Sequence, residues 1–177
     1  TDKTATEATL EHFYAYDASS IYLSPAPLYH AAPLGFNMTV LRLGATTVVM
    51  EQFEPRLFLR LVAEYAVTHT QVVPTMFVRL LKLDAAVRGR YDLSSLRCVM
   101  HAAAPCPVPV KRQMIEWFGP IIHEYYAGTE GNGFVYCNSE MWLAHPGTVG
   151  TPINCSVHIC GDGGEEQAVG FDERLAR

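Results

Sequence analysis

Long apolar runs and charged residues are both scarce in this chain of 177 residues. The longest apolar stretches, such as 21–23 and 47–50, fall far short of the roughly 18 residues that a membrane-spanning helix needs. No basic, apolar and small-residue signal segment opens the sequence. Charged residues make up 18% of the chain, against roughly 25% in an average soluble domain. We therefore predict a cytoplasmic protein without a membrane span, whose body is unusually apolar or is covered by further polypeptide.

Clusters of basic residues and paired cysteines are also missing. The net charge is −5 and the Lys and Arg residues are dispersed, which argues against nucleic acid as a partner. The cysteines are odd in number and none has Cys-x-x-Cys spacing, so a secreted disulfide framework is not expected; they are Cys98, Cys106, Cys137, Cys155 and Cys160. Cys155, His158 and Cys160 could hold zinc only with a fourth ligand that is not evident. Buried free thiols are the preferred interpretation.

A nucleophile motif is absent as well, since no Gly-x-Ser-x-Gly sequence occurs. A hydrolase that pairs His30 or His101 with a serine is therefore a weak alternative. The chain begins at Thr1 without a methionine and stops at Arg177, soon after the turn-like segment 161–164. We interpret 1–177 as one partial domain, an internal fragment of a longer protein.

What the sequence does contain is an alternation of short β-branched runs with amphipathic stretches. The predicted strands are 20–24, 45–50, 71–73, 97–100, 121–125 and 156–160. Three groups of apolar residues at helical spacing lie between them: Leu57, Leu61, Val62 and Tyr65; Phe77, Leu80, Leu81 and Leu83; Val110, Met114, Ile115 and Phe118. Pro55 and Pro74 suit first helical turns, and Gly119 suits a helix end. These units predict an α/β fold, a mostly parallel sheet flanked by helices, with ligands at the carboxyl ends of the strands.

The segment after the fifth predicted strand combines small residues with oxygen-bearing side chains. It reads Tyr-Ala-Gly-Thr-Glu-Gly-Asn-Gly over 126–133. Gly128 lets a ligand approach the backbone, while the hydroxyl of Thr129 and the carboxylate of Glu130 suit a phosphate and its Mg²⁺. Tyr126 offers a flat face for a base. Judged by these residues alone, a Gly-rich turn with a helix-capping Thr is as good an interpretation as a phosphate site.

Four further segments accompany this one in a fixed order. They are Ser-Pro-Ala-Pro-Leu-Tyr-His at 24–30, Val-Val-Pro-Thr-Met-Phe at 72–77, His-Ala-Ala-Ala-Pro at 101–105 and His-Pro-Gly-Thr-Val-Gly-Thr-Pro at 145–152. Together the five resemble the motifs of the adenylate-forming superfamily, and 126–130 resembles its Tyr-Gly-x-Thr-Glu signature. Within that superfamily, the sequence is most similar to the AMP-forming acyl-CoA synthetases at residues 30, 73–75 and 128–131. The resemblance covers about residues 22–159, within the large N-terminal domain of that family.

The resemblance implies ATP, Mg²⁺ and coenzyme A as cofactors and a small-molecule carboxylic acid, of fatty or aryl type, as substrate. It places Thr129 at the phosphate, Glu130 at Mg²⁺ and His30 beside the carboxylate that is activated. Tyr126 would stack on adenine, and Ala103, Ala104 and Pro105 would form the adenine wall. The acyl side would be shaped by Phe36, Val73, Thr75 and Gly128. The segment 145–152 is interpreted as structural, because its glycines permit a tight bend before the last strand.

Several departures from the family pattern concern catalysis. Ala127 stands where the family usually has glycine, and alanines replace the glycines of the family's Gly-Gly-Ala-Pro turn before Pro105. The Ser/Thr/Gly-rich phosphate loop is not found in residues 1–20, and neither Asp162 nor Asp172 has the Thr-Gly-Asp setting of the ribose ligand. The C-terminal lysine of the family is missing. We therefore predict weak or no turnover for this chain; a non-catalytic acyl- or nucleotide-binding module is the alternative, and an exposed apolar face would favour a homodimer.

Overall fold

Strands and helices alternate along residues 3–166, the part of the chain that the computed structural model describes, without the side chain of residue 5. The helices are α1 Ala5–Tyr14, α2 Ala31–Arg42, α3 Pro55–Glu64, α4 Pro74–Leu81, α5 Ala85–Arg88, α6 Val108–Phe118 and α7 Ser139–Ala144. The strands are β1 Ile21–Ser24, β2 Thr46–Val49, β3 His69–Val72, β4 Cys98–His101, β5 Ile122–Ala127, β6 Phe134–Cys137 and β7 Thr151–Pro152. Asp172, considered above as a ribose ligand, lies outside the described residues.

These strands form one sheet in the order β2-β1-β3-β4-β5-β6-β7. Neighbours from β2 to β5 are parallel, whereas β6 is antiparallel to β5 and β7 is antiparallel to β6. The predicted α/β fold with a mostly parallel sheet flanked by helices is confirmed. Because β2 lies on one side of β1 and β3 on the other, the chain changes direction across the sheet between β1 and β3. In open α/β sheets such a switch point opens a crevice at the carboxyl ends of the strands.

The first five predicted strands match β1 to β5, but the sixth is wrong. Residues 156–160 are exposed, and only Cys160 makes an isolated bridge, to Glu166. Within residues 3–166 no strand pairs with this β-branched alternation, and pairing is what stabilises a strand. The edge of the sheet is instead built by β6 and β7, neither of which was predicted.

The helices begin and end where the sequence signals lie. Pro55 and Pro74 occupy the first turns of α3 and α4, and Gly119 ends α6 with φ +87°. The Glu54 carboxylate accepts hydrogen bonds from the first amides of α3 at 2.9 and 2.6 Å. Tyr65 and Leu83, assigned above to helical stripes, fall just beyond the ends of α3 and α4.

The sheet separates two apolar cores, as alternation of side chains along a strand requires. Val99 of β4 packs with α3, α4 and α6, whereas its neighbours Cys98 and Met100 pack with α1 and α2 on the other face. The second core is rich in tyrosine, with Tyr14, Tyr16, Tyr22 and Tyr136. None of the helices within residues 3–166 combines the length and apolar character that crossing a bilayer requires.

All five cysteines are free thiols, but they are not all buried. Cys98 and Cys137 are buried, whereas Cys160 is exposed. Burial raises the pKa of the Cys137 thiol to about 11. His158 lies 2.6 Å from the Glu166 carboxylate, and residues 3–166 contain no group of three His, Cys, Asp or Glu side chains arranged to hold a metal ion.

Candidate functional site

The segments that follow β1, β3, β4 and β5 meet at one edge of the sheet. A cavity of about 570 Å³ opens between them, at the switch point between β1 and β3. Six of the predicted site residues line it: His30, Phe36, Val73, Ala103, Gly128 and Thr129. Five others do not line it, although all are described: Thr75, Ala104, Pro105, Tyr126 and Glu130. Because the carboxyl ends of the parallel strands lie at the same edge of the sheet, residues up to about a hundred positions apart in the chain meet at this cavity.

The loop after β5 folds its own polar side chains over Gly128. A Cβ atom added there would lie 2.8 Å from Asn132 Oδ1 and 3.1 Å from Glu130 Oε2. Ala127, which departs from the family glycine, is still part of β5 and pairs with Phe134 in extended backbone. A side chain at Gly128, one residue later, would therefore require the exposed ends of Asn132 and Glu130 to move.

Tyr126 lies on the other side of this loop from the main cavity. Its side chain is 66% exposed and lines a second, smaller cavity of about 190 Å³, together with Gly128, Asn132, Phe134 and Cys155. Gly128 is shared by the two cavities. An exposed aromatic ring beside a loop of small residues is a surface on which a flat ligand can stack.

The turn after β4 holds Ala103 in a left-handed conformation, with φ +75°. An L-residue with a Cβ atom is strained there by roughly 1–2 kcal/mol, and glycine is not. This is one of the positions at which the resemblance puts a glycine, so the backbone conformation of the turn is kept although the residue is not. Ala104 and Pro105 follow on the surface and are exposed.

Substitution of Ala103 by glycine is expected to raise the free energy of unfolding by up to about 1 kcal/mol, because relief of the left-handed strain exceeds the added flexibility of the unfolded chain. Ala104→Gly is the matched control. Its φ is not positive, so it should instead lose about 0.5–1 kcal/mol. Urea unfolding of both variants checks the pair. Equal losses in both variants would contradict the strained turn.

His30 and Thr75 both sit at helix starts. His30 is the residue before the first turn of α2, is exposed, and makes no capping hydrogen bond with its side chain. The ring nitrogens of His30 therefore do not cap the backbone of α2, and the residue borders the main cavity. Thr75, in the first turn of α4, is exposed and does not line the cavity that Val73 lines.

A buried charge pair lies beneath the turns after β4 and β5. Lys111 of α6 places its Nζ 2.5 Å from Glu124 Oε2, and both side chains are buried. His101 Nε2 lies 3.4 Å from the same oxygen but makes no hydrogen bond. Burial, and then the nearby Lys111 charge, lower the pKa of His101 to about 3, so its ring is neutral near pH 7. A fully buried neutral ring packed against Phe77 does not suit the hydrolase alternative.

Gln71 of β3 and Tyr125 of β5 are among the cavity residues that were not foreseen from the sequence. Both line the cavity, and Gln71 Nε2 donates a hydrogen bond to Tyr125 Oη. Tyr125 stacks on Phe36 at 6.0 Å between ring centroids. The available signal for Gln71 was its position in the strand that leads directly into the segment 72–77.

Residues 3–171 match the sequence profile of a family described as AMP-binding enzyme. The chain belongs to this family. Among curated relatives, the probable CoA ligase CCL5 of Humulus lupulus is 30% identical over 72% of this chain and 23% of its own length. The 4-hydroxybutyrate--CoA ligase 2 of Metallosphaera sedula is 33% identical over 70% of this chain and 22% of its own length. This AMP-binding chain thus spans less than a quarter of the length of these relatives.

Solved structures of other proteins share the fold. The amide bond synthetase McbA from Marinactinospora thermotolerans superposes with a TM-score of 0.79 and 24% identity, over 94% of this chain and 34% of that one. The N-terminal domain of FACL13 from Mycobacterium tuberculosis gives a TM-score of 0.70 and 23% identity, over 86% and 38% of the two chains. At this identity the likeness concerns the fold of the AMP-binding chain.

Proposed function

We propose that this chain carries the acyl pocket and part of the adenylate site of an AMP-forming acyl-CoA ligase. In the first step of that reaction a carboxylate oxygen attacks the α-phosphorus of ATP, which gives an acyl adenylate and releases pyrophosphate. In the second step the thiol of coenzyme A attacks the acyl carbon and AMP leaves. The observation that carries the proposal is the single cavity lined by the segments after β1, β3, β4 and β5. Residues 1–177 would then be a partial AMP-binding domain.

The roles proposed for individual residues follow their places around the cavities. His30 would hold the carboxylate at the cavity mouth, and Thr129 would donate to a phosphate oxygen. Tyr126 would stack on adenine from the smaller cavity. The wall opposite that ring would be formed by Ala103, Ala104 and Pro105, and the acyl side by Phe36, Val73, Thr75 and Gly128. Thr75 has the weakest support, because it does not line the cavity.

A magnesium ion fits the oxygen atoms of the loop after β5. Glu130 Oε2 and Asn132 Oδ1 both approach the space above Gly128, and a carboxylate with an amide oxygen is a donor set that Mg²⁺ accepts. We propose Glu130 as the principal ligand. When bound, Mg²⁺ neutralises charge on the phosphates of ATP.

The cavity walls favour an acid with an apolar chain. Ala26, Pro33, Phe36, Val72 and Val73 present carbon atoms to the cavity, and burial of apolar surface stabilises a bound chain by about 25 cal/mol for each Å². A volume near 570 Å³ lies within the usual range of small-molecule sites. A fatty or aryl acid is thus the substrate class that we propose. A homodimer and a cytoplasmic location stay predictions from the sequence.

Binding of octanoyl-sulfamoyl adenosine, a stable mimic of an acyl adenylate, tests the proposal on this chain. We expect a saturable rise in melting temperature that is larger with MgCl2, because a ligand that binds only the folded state stabilises it. Glu130→Gln should weaken Mg²⁺-dependent binding about tenfold or more, since it removes a charged partner.

Glu140→Gln is the matched control, because Glu140 is also exposed but belongs to α7, outside both cavities. It should bind like the unchanged chain. Absence of any shift would reject an adenylate site in this chain. Binding of octanoate alone, indifferent to adenosine and Mg²⁺, would support the non-catalytic acyl-binding module instead.

A further inference from the structure

The wall of the main cavity contains one polar pair that the proposed reaction does not use. Gln71 and Tyr125 are both buried, at 7% and 9% exposure, and both line the cavity among alanine, proline, valine and phenylalanine side chains. Neither touches the carboxylate or phosphate positions assigned above to His30 and Thr129. Their role in the cavity therefore needs its own explanation.

Each partner of the pair has hydrogen-bonding capacity left over. Gln71 Nε2 donates to Tyr125 Oη, but Gln71 Oε1 has no hydrogen-bond partner among the described residues and is closed off from water. The bond with Gln71 is also the one hydrogen bond that the side chain of Tyr125 makes within residues 3–166, so the proton of its hydroxyl is not donated. Burial raises the pKa of Tyr125, which keeps that proton in place near pH 7.

The pair is held rigidly at the switch point of the sheet. Gln71 belongs to β3, next to β1, where the crevice opens. The ring of Tyr125 is stacked between Phe36 and Phe134, with centroids at 6.0 and 5.6 Å and planes inclined by 21° and 17°. A phenol fixed by two flanking rings presents its hydroxyl in one direction. A hydroxyl fixed in this way can distinguish between ligands by the position of their polar groups.

An unmade hydrogen bond in such surroundings is unfavourable. The free-energy cost of leaving a buried polar group without a partner corresponds to a change of about tenfold or more in a binding constant. A ligand group that supplies the missing partner regains that factor on binding, whereas an alkyl chain does not. A hydroxyl can accept the proton of Tyr125, and it can donate to the carbonyl oxygen of Gln71 or accept from its NH2 group if the amide turns about its last bond.

We propose that Gln71 and Tyr125 bind a hydroxyl group on the acyl chain, so that the site selects hydroxylated carboxylic acids over plain alkyl acids. This inference rests on the proposed function, because it assumes that the acyl chain occupies the main cavity. Gln71 and Tyr125 are then specificity-determining residues. They take no part in the chemical steps.

The test compares octanoyl-sulfamoyl adenosine with a series in which one hydroxyl is moved along the octanoyl chain. Dissociation constants are measured by calorimetry with MgCl2 present. We expect at least one hydroxylated member to bind about tenfold more tightly than the parent compound. Gln71→Leu and Tyr125→Phe each remove one side of the pair, and each should bring the ratio of the two dissociation constants, hydroxylated to parent compound, to about one.

Gln113→Leu is the matched control, because Gln113 is an exposed glutamine of α6 that does not line the cavity; it should keep the preference. The two cavity variants are independent, so failure of one to fold leaves the other informative. Tight binding of the parent compound with no gain from any hydroxyl, or a gain that survives in both variants, would overturn the inference and leave the ligase proposal standing. Failure of every compound to bind would overturn both.

Discussion

Replacing Lys111 by methionine is expected to lower the free energy of unfolding by about 3–5 kcal/mol. The change removes the charge but keeps an unbranched apolar stem, and it leaves the buried carboxylate of Glu124 without the ammonium that lies 2.5 Å away. In the unchanged chain His101 is neutral near pH 7, because burial and then the Lys111 charge lower its pKa to about 3, so the ammonium of Lys111 supplies the charge that faces this carboxylate. Urea unfolding followed by tryptophan fluorescence and circular dichroism measures the loss.

Two further variants show whether the pair itself is responsible. Lys82→Met is the control for the same substitution at an exposed position just after α4, and it should change stability by no more than about 0.5 kcal/mol. Adding Glu124→Leu to Lys111→Met removes the unpaired charge and should restore more than half of the loss, since apolar replacement of a whole buried pair is often tolerated. A loss below about 1 kcal/mol in Lys111→Met would instead mean that the pair behaves like one exposed to water.

The sequence carried a signal for this pair that the helical pattern alone conceals. Lys111 lies three and four positions before Met114 and Ile115, on the face of α6 that the apolar stripe predicts to be buried. A lysine on such a face needs a buried partner. Its partner, Glu124, could not be named from the sequence, because it is contributed by the next strand and depends on how α6 packs across the sheet.

The parallel part of the fold was predictable because each strand is a short β-branched run followed by a helix with clear end signals. β6 and β7 were not predictable in this way, since β6 follows β5 without a helix between them and β7 has only two residues. The predicted strand at 156–160 shows the opposite failure. Its alternation is strand-like, but Val157 and Ile159 are 56% and 42% exposed, and no strand within residues 3–166 pairs with this segment.

The cavity was predictable to the extent that it depends on strand order. Val73, Ala103 and Thr129 each follow a parallel strand, so the carboxyl-end rule brings them to one edge without knowledge of side-chain packing. The Gln71–Tyr125 pair depends on more: β4 lies between their strands, and their contact requires the register of both ladders. A one-residue change of register would turn one side chain to the other face.

Alanine at Gly150 is expected to lower the free energy of unfolding by about 2–4 kcal/mol and to detach β7 from β6. Gly150 has φ +103°, and a Cβ atom there would overlap the carbonyl group of Tyr136 and lie 2.7 Å from Cys137 Cβ. Tyr136 is the β6 residue paired with Thr151. The backbone that would have to move to make room for the Cβ atom is therefore part of the β6–β7 pairing. Urea unfolding measures the loss, and hydrogen exchange should show reduced protection of the Ile153 amide, which donates to Phe134 O at 2.8 Å.

Gly35→Ala is the control with the opposite expected sign. Gly35 lies inside α2, and an added Cβ atom would meet nothing within 4 Å, so alanine should stabilise the helix by about 0.5–1 kcal/mol. A gain of stability in both glycine variants would contradict the close packing of segment 145–152 against β6. A loss confined to Gly150→Ala would mean that the glycine of the Gly-x-Val-Gly-x-Pro segment is required for strand pairing, one strand away from the β5 loop that carries Thr129 and Glu130.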